Sequence, residues 1–255
     1  MTELTSSAPV IIEAHTEEDK ISSPFAETRH SKVSVVIATL NEEEGVGPTI
    51  SELQKVLEDP YLVVVDGNSV DRTIEIAKNM GADVLLQEGT GKGDAMFQGF
   101  QNLGSKVSYV VFTDADFTYP AEYVPRMVEI LDKNPDIGMV IGNRFKGEHN
   151  DSKSATNPFY LGNKMFAFAQ FVMNGINLED PLSGLRIVRS ELLEGWRPKS
   201  KGFDVEAEMN AVVGRSGYRI VEIPIDYRIR LGEKKLKLRH GLGIMKRILV
   251  ESVKF

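Results

Sequence analysis

The sequence predicts an α/β domain built on a largely parallel sheet. Three observations carry this: short β-branched runs alternate with helix-length stretches from Val33 onward, the runs are apolar at nearly every position, and the segments after them open on polar, cap-forming residues. Strand one, Val33 to Ala38, passes through Thr39-Leu40-Asn41 into a helix from Glu42 to Leu57, with Glu42, Glu43 and Glu44 placed for its first turn. Strand two, Tyr61 to Val65, ends in Asp66-Gly67-Asn68-Ser69, too polar for core, before a helix from Val70 to Met80. Val84 to Gln87 and Ser108 to Thr113 read as strands three and four, with helices from Gly91 to Leu103 and Ala121 to Lys133, and Ile137 to Gly142 as strand five. The second half is less regular. A helix near Phe159 to Met173, a strand at Leu185 to Val188, a helix near Val205 to Arg215 and a strand at Tyr218 to Ile223 are expected there. Residues 1–31, rich in Ser, Thr and Glu, read as a disordered extension, 32–230 as one catalytic-size domain, and 231–255 as a basic loop and amphipathic helix.

Composition narrows the classes. At 255 residues, 42% hydrophobic and 26% charged, the chain can bury a substantial core and is not disordered throughout. It has no cysteine, which removes disulfides, thiolate metal sites and a cysteine nucleophile. No window approaches the roughly 18 apolar residues of a membrane span, and residues 1–31 lack a basic-then-apolar signal pattern, so a soluble or peripheral protein is expected. The net charge is −7, yet Asp226 to Phe255 holds nine Lys or Arg against three acids, a local +6. An acidic body argues against nucleic-acid binding; its basic tail suits phosphates or an anionic membrane surface.

In an open parallel sheet, ligands bind beyond the C-terminal strand ends. Strands one, two and four end there in Thr39-Leu40-Asn41-Glu42, in Asp66, and in Asp114-Ala115-Asp116. The last pair is the candidate metal site, since two hard carboxylate donors from one loop suit Mg²⁺ or Mn²⁺, which keeps its other positions for water and phosphate. Asp-x-Asp alone is a weak signal and could be a helix-capping pair. The convergence of three strand ends on one edge is what gives it weight.

These segments resemble, in order, the family 2 glycosyltransferases of the GT-A fold, within them the polyprenyl-phosphate (dolichyl-phosphate) hexosyltransferases. The resemblance runs through Val35 to Glu43, Val64 to Thr73, Gly91-Lys92-Gly93-Asp94-Ala95, Thr113 to Asp116, Gly142-Asn143-Arg144-Phe145 and Asp180 to Arg186. It implies a mixed, mainly parallel Rossmann-like sheet and metal-dependent, inverting transfer of one hexose from a GDP- or UDP-sugar to polyprenyl phosphate. Asp66 would then contact the base, with Thr39, Asn41 and Glu42 beside the nucleoside. Asp114 and Asp116 would hold the metal, and Lys92, Arg144, Arg186 and Arg230 the donor side. Asp204, Glu206 and Glu208 are the acids available near the acceptor; a solvated helix face is the alternative. A hydroxyl acceptor would need one of these acids as base.

The Gln-x-x-Arg-Trp motif of processive polysaccharide synthases is missing, and the sole tryptophan, Trp196, lies in Glu194-Gly195-Trp196-Arg197. That favours single transfer to a lipid phosphate. The sequence departs from the pattern at Thr118, at Gly67, and at Leu161-Gly162-Asn163, where a phosphate-binding arginine is missing or replaced by Lys153 or Lys164. The basic stretch Leu231 to His240 resembles the loop that closes over donor and acceptor, and the helix after it has a pattern that can lie on a bilayer. A peripheral protein on the cytoplasmic face of a membrane is the resulting expectation. Transfer to a soluble or glycan hydroxyl, and a non-catalytic nucleotide-sugar-binding protein, are the alternatives.

Overall fold

The computed structural model describes residues 32–104, 107–148 and 156–254. The extension at 1–31, His149 and Lys153 lie outside the described residues.

A seven-stranded sheet in the order β3-β2-β1-β4-β6-β5-β7 forms the centre. Its strands are β1 (Val33–Thr39), β2 (Tyr61–Asp66), β3 (Asp83–Leu86), β4 (Tyr109–Asp114), β5 (Ile137–Asn143), β6 (Arg186–Arg189) and β7 (Arg219–Pro224). Only β6 runs antiparallel to its neighbours β4 and β5, so the sheet is mixed and mainly parallel, as the family resemblance implies. β2 and β5 are buried at every position, because helices cover both faces. One apolar layer gathers Val35, Ile37, Ile50, Leu53, Val111 and Met127. The other gathers Val36, Val63, Val65, Phe112, Met209 and Trp196.

The helices are α1 (Val46–Val56), α2 (Thr73–Asn79), α3 (Lys92–Gln101), α4 (Val124–Lys133, preceded by a 3-10 turn at Ala121–Tyr123), α5 (Pro158–Asn174), α6 (Val205–Arg215) and α7 (His240–Ser252). Two begin later than periodicity suggests. The N–H of Glu42 donates to Thr73 Oγ1 at 2.8 Å and that of Glu43 to Asp71 Oδ2 at 3.1 Å, while Asp71 also accepts from the N–H of Thr73. The residues expected to open α1 and α2 are therefore spent on tying two strand-end turns together. α5 is capped by Asn157, whose side chain accepts from the N–H of Phe159, and stops at Gly175 in the left-handed region. α5, α6 and α7 share a small core of Phe166, Ala207, Ile244 and Ile248. The outer sides of α5 and α7 remain apolar and exposed: Leu161, Met165, Phe168 (68% exposed) and Val172 on one, Leu242, Leu249 and Val253 (88%) on the other.

Candidate active site

β2, β1 and β4 are adjacent, and their register sets Thr39 beside Asp66 and Ala38 beside Asp114. The three strand ends thus meet at one edge. Asp66 is fully buried and shapes its own turn, accepting from Thr39 Oγ1 at 2.8 Å, the N–H of Ser69 at 2.7 Å and Ser69 Oγ at 2.6 Å. Asn41, at φ 49°, accepts from the N–H of Val70 through its side chain, and its own N–H donates to Ser69 Oγ. Thr39, Asn41 and Asp66 therefore form one interlocked rim.

The Asp114-Ala115-Asp116 loop lies against the start of α1. A side chain at Gly45 would run into the carbonyl of Ala115, so glycine lets the helix start press on this backbone. Asp116 Oδ1 accepts from Thr118 Oγ1 at 2.6 Å and from its N–H at 3.2 Å, while Oδ2 pairs with Arg230. Thr118, buried itself, orients Asp116. Asp114 Oδ1 receives Lys92 Nζ at 2.5 Å, and that ammonium also reaches Glu206 Oε1 at 2.7 Å.

Several residues lie where the sequence places them but are occupied differently. Arg186 is the clearest correction. Expected on the donor side, its guanidinium is fully buried and donates to the carbonyls of Pro181, Ser183 and Glu206 and to Asn210 Oδ1, so it braces the chain internally. Arg144 grips Asp180 with Nε and a terminal nitrogen at 2.8 and 2.7 Å and lies over the rings of Phe145 and Tyr227. Asp180 is held in turn because its N–H donates to Glu222. The three acids of α6 are not a solvated face: Asp204 pairs with Arg247, Glu206 with Lys92, and Glu208 accepts from the N–H groups of Lys199 and Ser200. Lys92, expected on the donor side, is likewise an internal cation paired with Asp114 and Glu206. Lys164 stays near Glu179 and over Tyr160.

The basic segment after β7 closes the edge. Arg230 bridges Asp116 and Glu42, and Lys235 reaches Glu42 Oε1 at 2.6 Å and the carbonyl of Asn41 at 3.0 Å. The N–H of Leu231 donates to the carbonyl of Asp116 at 3.1 Å, fixing the segment there. Lys235, Asp180 and Arg247 are functional candidates missing from the residue-by-residue expectation. Lys235 and Asp180 lie in segments the motifs do flag, whereas Arg247 has no sequence signal beyond helical spacing.

The electrostatics of this edge suit a divalent cation. Burial and the neighbouring Asp114 charge push the Asp116 carboxyl above the aspartate range, against Thr118 and Arg230. Burial raises Glu42 too, more than Lys235 and Arg230 lower it, and its Oε2 is buried without a hydrogen-bond partner. For Asp114, burial is outweighed by Lys92, which holds it below the ordinary range; Lys92, despite burial, is held well above the usual lysine value by Asp114 and Glu206. Two close carboxylates, one of them under-compensated, fit Mg²⁺ or Mn²⁺ completed by phosphate and water. Among the described residues no cluster of three or more His, Cys, Asp or Glu forms an all-protein metal cage.

Comparison with known proteins agrees with this geometry. The profile of "Glycosyl transferase family 2" matches residues 34–196. A dolichyl-phosphate hexose transferase of Haloferax volcanii is 36% identical over 208 residues, covering 80% of this chain and 86% of that protein. A dolichol-phosphate mannosyltransferase of Pyrococcus furiosus is 31% identical over 237 residues, covering 84% of this chain and 64% of that protein. Glucosyl-3-phosphoglycerate synthase of Mycobacterium tuberculosis, solved with Mn²⁺, UDP-glucose and phosphoglyceric acid, shares the fold at a TM-score of 0.69 and 22% identity, covering 88% of this chain and 80% of that one. Profile, relatives and shared fold agree: the chain belongs to glycosyl transferase family 2 and is a nucleotide-sugar-dependent glycosyltransferase of the GT-A fold.

Proposed function

We propose that the protein transfers a single hexose from a nucleotide diphosphate sugar to a polyprenyl phosphate, with a divalent metal, as a peripheral protein on the cytoplasmic face of a membrane. One observation carries the choice of acceptor. Asp204, Glu206 and Glu208, the acids a hydroxyl acceptor would call on as base, are all engaged with Arg247, Lys92 or backbone N–H groups. A phosphate acceptor already presents an anionic oxygen near neutral pH and needs positioning rather than deprotonation.

Asp114 and Asp116 would hold the metal, which supplies positive charge to the donor diphosphate. Thr39, Asn41 and Asp66 form the rim that receives the nucleoside. The acceptor oxygen attacks the anomeric carbon from the side opposite the leaving group; the new C–O bond forms as the bond to the diphosphate oxygen breaks, and configuration inverts. The electron pair leaves with the nucleoside diphosphate, whose charge Arg230 and Lys235 are placed to balance once they turn from Asp116 and Glu42. The exposed apolar sides of α5 and α7, with Lys246 beside them, suit a lipid surface next to this edge. The names of the Haloferax and Pyrococcus relatives support the same acceptor. Among the described residues no helix is long and apolar enough to cross a membrane.

Purified protein with Mn²⁺, a panel of labelled UDP- and GDP-hexoses and dolichyl phosphate in vesicles should yield one labelled glycolipid. A donor that labels only a soluble acceptor would overturn the lipid assignment.

A further inference from the structure

α7 is joined to the donor edge by a continuous set of ion pairs, hydrogen bonds and backbone contacts. Its inward residue Arg247, 12% exposed, places Nε 3.2 Å from Asp204 Oδ2 and 3.5 Å from Glu208 Oε2. Glu208 accepts from the N–H of Lys199 at 2.9 Å and of Ser200 at 2.7 Å, which fixes the 199–201 backbone. That backbone packs directly on the start of α3: a side chain at Gly91 would collide with the carbonyl of Lys201, and one at Gly93 with that of Ser200. Between those glycines stands Lys92, held by Glu206 from the same helix as Glu208 and bonded to Asp114. The Gly-Lys-Gly segment and the alternating acids Asp204, Glu206 and Glu208 thereby have one shared use.

We propose that Arg247 is a positioning residue for the donor site, acting through the α6 acids and the 199–201 backbone on Lys92 and so on Asp114. The inference rests on Asp114 being a metal ligand. It extends that reading to the C-terminal helix: loss of the Arg247 ion pairs would be felt at the metal carboxylate, through Asp204 and Glu208, the 199–201 backbone and Lys92.

The test uses the full chain and the affinity of Mn²⁺, read from the loss of its free-ion paramagnetic resonance signal with saturating UDP or GDP. Arg247→Met should weaken Mn²⁺ about tenfold, the size of coupling seen between members of one ion network. Arg247→Lys, which keeps the charge but not the planar fork, should fall between, and it carries the test alone if the Met variant does not fold. In a Lys92→Met background, Arg247→Met should add nothing further. Ile248→Ala, which loosens α7 from its core without touching the ion pairs, should lower the thermal midpoint and leave Mn²⁺ affinity unchanged. Mn²⁺ affinity within twofold of wild type in Arg247→Met, an equal loss in Ile248→Ala, or additive losses with Lys92→Met would each overturn the proposal. A wild-type protein that binds no Mn²⁺ with either nucleotide would instead remove the metal reading beneath it.

Discussion

The donor edge and the α6–α7 corner are both rich in charge, yet they treat it in opposite ways. At the edge, Asp66 and Asp116 sit at or just past strand ends and combine bonds two or three residues away with a distant partner each, Thr39 and Arg230, and burial leaves Asp116 and Glu42 raised and under-compensated. At the corner, Arg247 and Glu251 find partners both across helices and along α7 and the residues just after it, and Glu251 is held below the glutamate range. Asp116 and Glu42, kept short of countercharge, are poised to receive a cation, with Asp114 beside them held low by Lys92; Glu251, surrounded by cations, is part of the scaffold. The difference separates acids that the sequence alone cannot tell apart.

Asp116→Asn should break the edge hardest. Turnover of nucleotide sugar should fall on the order of a hundred- to a thousandfold, the cost of removing one preorganised charge contact. Its effect on folding has the opposite sign. Because the Asp116 carboxyl is raised in the fold, its ionised form costs stability above that raised value, and the cost lifts as pH falls through it. The neutral amide should therefore leave the thermal midpoint near neutral pH unchanged or higher. A midpoint several degrees lower would place Asp116 in the scaffold and collapse the contrast.

Arg186→Met is the complementary test. It should cost about 3 kcal/mol in a urea titration, since four buried hydrogen bonds of the guanidinium are lost. Nucleotide affinity of the folded fraction should not change. A tenfold loss of affinity without loss of stability would return Arg186 to the donor side.

Glu251→Gln probes the corner through pH. Burial raises Glu251, but Lys254 and Arg215 together override it and hold the carboxyl below its ordinary value of 4.5. Its stabilisation is thus fully present above about that pH and is lost as pH falls through the depressed folded value. The variant should be less stable by about 2 kcal/mol at neutral pH, the scale of hydrogen bonds to charged groups. Wild type and variant should converge on acidification below 4.5. Urea midpoints across that range check it, and a gap that widened with acid would reverse the sign assigned to the corner.

The two regions also differ in how far the sequence discloses them. Strand and helix identities follow from periodicity because the central strands β1, β2, β4 and β5 are apolar and the connections after them polar. The order of the sheet and the antiparallel entry of β6 do not, since period two says nothing about which neighbour a strand meets. Thr39, Asn41, Glu42, Asp66, Asp114 and Asp116 can be placed at one edge because each directly follows a strand. For Arg144, Arg186, Asp204 and Glu206 the sequence gives the neighbourhood but not the occupation. Asp180 reaches Arg144 and Arg247 reaches Asp204 from distant segments, Lys92 comes to Glu206 from the first half of the chain, and the Pro181 and Ser183 carbonyls meet Arg186 through the turn before β6, none of which periodicity encodes.

The smallest effect tests whether local geometry at the edge serves binding. Phe117, directly after Asp116, has φ 64°, a left-handed conformation that costs a bulky residue about 1–2 kcal/mol. What holds it there is visible. Arg228 stacks over its ring at 4.4 Å, is itself fixed by two bonds to Glu52, and donates its N–H to the carbonyl of Thr118. The turn lets Thr118 bond back to Asp116 while Asp116 faces Arg230. Phe117→Gly removes the strain but also the cation–π contact, worth about 0.5–1 kcal/mol, and adds a similar entropy to the unfolded chain. Its net stability should stay within about 1 kcal/mol of wild type by these opposing terms. Mn²⁺ affinity should nonetheless drop several-fold, because the loop that aims Asp116 is no longer held. Phe117→Ala keeps the strain and loses only the ring, so it should be the less stable of the two. Were the glycine variant to bind Mn²⁺ as tightly as wild type, the strain at Phe117 would belong to packing alone and the edge would owe its affinity to its charges.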